Sequence, residues 1–224
     1  AAGQAADSTN SVMITLASAI SKTTSAWAVG TGNGGLDTGS IANNTWYHFY
    51  LIRRPDTGVV DVVFSTSASS PTLPANYTQY RRIGSGRTNG SAQWVAFTQI
   101  GDLFMWKASV LDVNANNPGT AAVLRTLTVP TGVKVGARVS VRADDAATLQ
   151  VLYVSSPDVD DEAPVATTAL GNSTSESSNM GLVGQIEVWT NTAAQVRSRI
   201  ASTSGSADIA IRTFGWIDLR GRND

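Results

Sequence analysis

The chain has 224 residues, with 16 Lys and Arg against 17 Asp and Glu, a single histidine and no cysteine. That balance offers no basic surface to nucleic acid or an acidic membrane, and the lack of thiols removes disulfides, thiolate chemistry and zinc–cysteine sites. No apolar run approaches the ~20 residues a membrane-spanning helix needs, and the length suffices for one large sandwich or two small domains.

Residues 1–10 are small and polar and read as a linker. The start, "AAGQAADSTNS", has neither an initiator Met nor an apolar signal core, so it is expected to be a fragment or processed product joined upstream to another segment. "VMITLASAI" (Val12–Ile20) fits a strand or a short helix, and the β-texture of the later chain favours a strand. "GTGNGGLDTGS" (Gly30–Ser40) is a glycine-rich turn rather than a dinucleotide loop, because no helical pattern follows it. The runs "TWYHFYLIRR" and "GVVDVVFSTS" flank Pro-Asp-x-Gly, in which Pro presets φ and Gly takes φ > 0, so they predict a β-hairpin. Alternation puts Trp46, His48, Tyr50 and Ile52 on one face of its first strand and Tyr47, Phe49 and Leu51 on the other. Both faces are apolar, which predicts a central strand covered on both sides.

Residues 69–93 follow as a long connection with two prolines, an Asn-Gly turn and Tyr77 and Tyr80. Trp94–Val113 predicts two strands around Gly101-Asp102, and "NANNPGT" another turn. Further strands are expected at 121–129, 135–142, 148–156, 181–191, 195–201 and 207–219. No segment holds a helical period over three turns. The fold expected is all-β, an antiparallel, jelly-roll-like β-sandwich, with two related sandwich halves at 11–112 and 118–222 as one arrangement. The second suggestion rests on an echo. "RRPDTGVVDVVFSTS" lies over "RADDAATLQVLYVSS" at an offset of 89, and "QWVAFTQ" over "QIEVWTN" at an offset of 92.

Chemistry has few candidates. His48 sits mid-strand between Tyr47 and Phe49, whereas catalytic bases usually project from loops or strand ends, so it reads as a structural histidine. No G-x-S-x-G elbow occurs. Adjacent acids such as Asp144-Asp145 read as solvated. The loop "DVDDEAP" supplies Asp158, Asp160, Asp161 and Glu162 as candidate ligands for weakly bound Ca²⁺, without the spacing of a DxDxDG loop. No other cofactor is expected. Aromatics are the better lead, because a flat ring matches the apolar side of a pyranose while Asn, Asp and Arg bond its hydroxyls. Most of Trp27, Trp46, Trp94, Trp106, Trp189 and Trp216 fall inside predicted strands and read as core. Tyr77, Tyr80, Arg81, Arg82 and Arg87, in the long connection, are therefore the candidate ligand-binding patch.

The elements "LDTGSIA-NTWYH", "RPDTGVVDV-FS-S", "PTLP-NYT-YRRIGS--TNGS" and "W--FTQ-GD-F-W", within Gly35–Trp106, resemble a module of bacteriophage and prophage tail and tail-fibre proteins. The resemblance covers about a third of the chain and brings no catalytic set with it. It implies a distal tail component of the virion, a homotrimer attached to upstream fibre segments, whose tip recognises a bacterial cell-surface glycan without cleaving it. Two alternatives stay open. One is a polysaccharide depolymerase using acids such as Asp61, Asp102 or Asp145; the other is a structural trimerisation or adaptor domain.

Overall fold

A computed structural model describes residues 1–145, 150–165, 173–176, 182–201 and 205–221. Residues 146–149, 166–172, 177–181, 202–204 and 222, which fall within the expected second half, lie outside this set. The described residues are all-β, and antiparallel pairing prevails. Two compact units form, residues 1–95 with 220–224, and residues 96–219.

In the first unit the strands are β1 (Gly3–Ala6), β2 (Met13–Leu16), β3 (Thr23–Ala26), β4 (Gly34–Leu36), β5 (Trp46–Arg53), β6 (Val60–Ser65) and β7 (Gln79–Arg87). β1 and β2 form a hairpin, and the rest form one sheet in the order β3-β4-β6-β5-β7. The predicted β5–β6 hairpin is present, closed by the Arg54 N–H on the Val59 carbonyl at 2.9 Å, with Gly58 at φ 72°. β5 is central and covered on both faces, as its alternation predicts. One face buries Tyr50 and Ile52 against Val63 and Tyr77, and the other buries Tyr47 with Phe64 and Leu36. An extra residue in β7, Ile83, lies opposite the Phe49/Tyr50 step, where the register shifts.

Residues 20–34 contain little that is apolar, and an ion pair holds them instead. Lys22 Nζ lies 2.8 Å from Asp61 Oδ1, with the two side chains only 6% and 1% exposed. The ammonium also donates to the carbonyls of Ala28 (2.7 Å) and Gly30 (3.0 Å), and Asp61 Oδ2 accepts from the Gly30 N–H at 2.8 Å. All three ammonium protons have an acceptor and each carboxylate oxygen has a donor, which is what lets buried charge be tolerated. Lys22 also sits over the Trp27 ring at 5.3 Å.

In the second unit the strands are β8 (Phe97–Ile100), β9 (Leu103–Asn116), β10 (Val123–Thr126), β11 (Gly136–Asp144), β12 (Gln150–Ser155), β13 (Ser173–Glu176), β14 (Leu182–Trp189), β15 (Gln195–Ile200) and β16 (Asp208–Ile217). They form a sheet β14-β11-β16-β9-β8 and a sheet β10-β15-β12-β13. Each has one buried face: Ala137, Val139 and Val141 of β11, for example, and Val196, Ser198 and Ile200 of β15. With β12 against β11 and β14, and β10 against β9, the result is an antiparallel two-sheet sandwich. Its core carries an aromatic cluster in which Trp216 stacks on Phe104 (5.1 Å, 6°) and meets Trp106 at 4.9 Å. Asp112 ties β9 to its surroundings, accepting from the Thr128 N–H, the Thr128 hydroxyl and the Thr213 hydroxyl at 2.6–2.8 Å.

Several expectations change. The expected linker at 1–10 contains β1, whose turn into β2 is locked by Asp7 accepting from the Ser11 and Val12 N–H groups. β8 and β9 belong with β16 in the second unit, so the boundary falls at 95/96 rather than between 112 and 118. The offset-89 echo does not mark a structural repeat. β5 and β6 pair in one sheet, whereas β11 and β12 lie in opposite sheets of the sandwich. Shared alternation reflects a strand's two-residue period and nothing more.

Two outcomes follow. Asp61→Ala leaves Lys22 buried without its counter-ion and is expected to cost about 3 kcal/mol in urea denaturation, while Asp56→Ala, which removes an exposed partner of Arg54, leaves the urea midpoint nearly unchanged. Burial raises the Asp7 carboxyl's pKa, but its bonds to Thr9, Val12 and Ser11 outweigh this and hold it below its ordinary 3.8. A lowered folded-state value stabilises above the unfolded value and is lost as pH falls through the folded one. Asp7→Asn should therefore be less stable than the parent at pH 6, with the difference shrinking below pH 3.8. A difference independent of pH would contradict this.

Candidate functional site

The five residues singled out around Tyr77–Arg87 do not form an open patch. Most of their segment is the strand β7, hydrogen-bonded to β5 from Gln79 to Arg87, rather than a loop. Tyr77 is a core residue, packed with Tyr50, Ile52 and Val63 and meeting Trp27 edge-on at 5.3 Å. Burial raises its phenol pKa, with Asp61 adding to the effect. Tyr80 packs edge-on against Tyr50 (5.9 Å) and donates to the Ser69 carbonyl at 3.3 Å. Arg81 is bonded to the Gly221 carbonyl and to Asn10. Arg82 donates to Ser85 Oγ at 3.2 Å. Arg87 is half-buried opposite Trp46 at the end of β7. The run "YRRIGSGR" looked like a loop because its two glycines and three arginines carry little β-propensity. Its pairing partner, β5, lies some thirty residues earlier.

His48 is structural in placement, as its mid-strand position predicts. It is 1% exposed, with Nδ1 2.9 Å from the hydroxyl of Ser85, itself fully buried. A histidine–serine pair enclosed in this way has no access to a substrate.

The first unit does present an aromatic surface, one residue past the expected loop. Trp94 is 36% exposed and stands edge-to-face on a bed of rings, 5.7 Å from Tyr47 and 5.4 Å from Phe64, with a tilted contact to Phe49 at 5.4 Å. Gly86 makes room beneath it. A Cβ there would lie 3.0 Å from the Phe49 ring and 3.5 Å from the indole. The two loops around Trp94 are cross-tied. Thr88 Oγ1 donates to the Ala42 carbonyl (2.6 Å) and accepts from the Thr45 N–H (2.9 Å), and the Asn44 N–H donates to the Asn89 carbonyl (3.0 Å). Asn89 Oδ1 accepts from both Ser91 and Gln93 N–H groups, closing the turn that delivers Trp94. Asn43, Asn44, Ser91 and Gln93 are exposed on these loops. The arrangement is a rigid apolar plane set in loops rich in neutral hydrogen-bonding groups. Its exposure was illegible in the sequence, where a tryptophan ahead of an apolar run reads as core.

The candidate acids are dispersed. Asp61 is consumed by Lys22 in the first unit. Asp145, in the second, is 1% exposed and accepts from Gln150 (2.8 Å) and Ser206 (3.1 Å). Asp102 stands in the β8–β9 turn, its carbonyl bonded by the Asp218 N–H at 2.9 Å. Asp144 pairs with Arg142. In the acidic loop Asp158 pairs with Lys134 and Asp161 with Arg199, each at 2.6 Å, while Asp160 and Glu162 are exposed. Among the described residues no three acidic or histidine side chains gather into a cation site.

No protein-family model matches the chain, and no curated protein is significantly similar to it. A solved structure with some similarity is the N-terminal CBM22-1–CBM22-2 tandem domain of Xyn10C from Paenibacillus barcinonensis, at 12% identity over 80% of each chain. The TM-score is 0.24, too low to bear on the fold or function of this chain.

The two aromatic residues separate by stability. Tyr77→Ala is expected to cost about 3–5 kcal/mol in urea denaturation, as for a buried ring. Trp94→Ala should cost about 1–2 kcal/mol, because one face of the indole already meets solvent. Equal losses would make Trp94 a packing residue only.

Proposed function

We propose that the chain is a non-enzymatic glycan-binding β-module of a phage tail fibre, with Trp94 as the stacking platform for a neutral sugar of a bacterial surface polysaccharide. The observation that carries the reading is the exposed indole held on three aromatic rings. Exposing an aromatic side chain forgoes its burial, and fixing its loops by cross-ties removes the ordering cost that a mobile ring would meet on binding. A pyranose offers one apolar face to such a ring and hydroxyls to the surrounding amides. The virion context rests on the resemblance of Gly35–Trp106 to tail-fibre modules, which also suggests a homotrimer joined to upstream fibre segments.

The test is a panel of bacterial O-antigen and capsular polysaccharides, read by binding, release of reducing ends and sizing together. Binding to at least one neutral polymer, without new reducing ends and weakened about tenfold or more by Trp94→Ala, supports the reading. Release of reducing ends would replace it with a depolymerase. A stable trimer that retains no glycan would replace it with a structural adaptor.

A further inference from the structure

The second unit also exposes a tryptophan, on a surface of different chemistry. Along β11, Gly136, Arg138, Ser140 and Arg142 alternate with buried residues and so share the outer face of the sheet. The register places Trp189, Glu187 and Gln185 of β14 directly beside the first three. On the other side, β16 sets Arg212 against Ser140. Phe214, the extra residue where the register shifts, lies within cation–π range of Arg138, 6.0 Å from its guanidinium carbon.

Three features give this strip a ligand chemistry. Trp189 is 39% exposed at the sheet's edge, and its neighbour across the ladder is Gly136, which leaves one flank of the indole free of a competing side chain. A Cβ at Gly136 would come within 3.1 Å of Glu187 Oε1, so glycine is what lets the carboxylate lie across β11, where Oε2 meets Arg138 at 3.3 Å. Three arginines on this face (Arg138, Arg142 and Arg212) stand with three acids (Glu187, Asp144 and Asp208, the last opposite Asp144), and Arg212 is the arginine without a carboxylate in contact. Arg138 is matched by Glu187 and Arg142 by Asp144, whereas exposed Arg212 bonds only the carbonyl and hydroxyl of Ser109, both at 3.2 Å, and has no carboxylate partner among the described residues. From strand spacings, Trp189 and Arg212 are about 17 Å apart along the strip, the span of a short oligosaccharide.

We propose that this face binds an acidic, uronate-bearing glycan. Trp189 stacks on one sugar ring, Glu187 and Gln185 bond hydroxyls between, and the Arg212 fork takes a carboxylate. A guanidinium is planar and matches a carboxylate with two parallel N–H donors, and this one lies on the surface with no carboxylate in contact. The site goes beyond the neutral platform at Trp94, lies wholly in the other unit and does not depend on it.

The test is affinity electrophoresis of the full chain in native gels containing polygalacturonate or its carboxyl-reduced form. The parent and Trp94→Ala should both be retarded by polygalacturonate and hardly at all by the reduced polymer. Trp189→Ala and Arg212→Gln should each weaken retardation about tenfold, and Arg212→Lys, which keeps charge but loses the fork, should fall between. Added salt should weaken it in the parent. The proposal is overturned if the parent is not retarded, if the reduced polymer retards it equally, or if both Trp189→Ala and Arg212→Gln bind as the parent does. Loss on Trp94→Ala alone would also overturn it, assigning the acidic polymer to the first unit. Loss of neutral-glycan binding with retention on polygalacturonate would instead remove the Trp94 reading and leave this one standing.

Discussion

Strand β5 has to be covered on both faces, and the first unit is arranged around that requirement. One face, shared with Val63, is covered by Tyr77 and Trp27, and the other, shared with Phe64 and Leu36, is covered by Trp94. Covering the first face means holding residues 20–34 against β6, although Trp27 is the one large side chain that segment packs there. The Lys22–Asp61 pair supplies the attachment, because Asp61 projects from β6 and captures both the ammonium and the Gly30 N–H. Trp27 is held at the same time, its indole N–H donating to the Val62 carbonyl at 3.1 Å. Covering the second face produces the aromatic bed, and the bed is what allows Trp94 to stand partly in solvent without being loose.

How much of this could be read from the residues depends on where each element finds its partner. The β5–β6 hairpin was legible because its pattern and its turn are local. Apolar residues alternate on both sides of Pro-Asp-x-Gly, and the structure keeps the same two faces. Most strands of the second unit were legible for a similar reason, since β-branched runs stand between Gly and Asn turns, as at Gly101 and Asn117-Pro118-Gly119. β1, β3, β4, β7 and β13 were not. All but β7 are short and made mostly of small or polar residues, so only tertiary context selects them. β7 is a strand because β5 has an edge to fill.

The candidate site divides along the same line. Chemical type was readable: aromatics with neutral amides, few charges, one histidine of little catalytic promise. Placement was not. Tyr77 and Trp94 are both aromatic residues near the same connection, yet one is 5% exposed and the other 36%. What separates them is whether a second layer reaches that part of the sheet, which no local pattern encodes. Trp189 is similar. It ends β14 in an alternating run, but its exposure follows from β14 lying at a sheet edge and from a glycine on the neighbouring strand.

The distribution of carboxylates connects fold to function. With few apolar residues in its loops, this chain fastens them with acids, each accepting several bonds, some local and some from elements distant in sequence. Asp7 closes a hairpin turn, Asp61 anchors the glycine-rich loop, Asp112 links β9 to β16 and to residue 128, and Asp145 takes Gln150 and Ser206. A carboxylate so engaged has its lone pairs turned to the fold, while flat rings such as Trp94 and Trp189 and the Arg212 fork stand exposed, as do the acids Asp160 and Glu162. On the outer sheet face Glu187 and Asp144 are likewise engaged, by Arg138 and Arg142, and Arg212 bonds only Ser109.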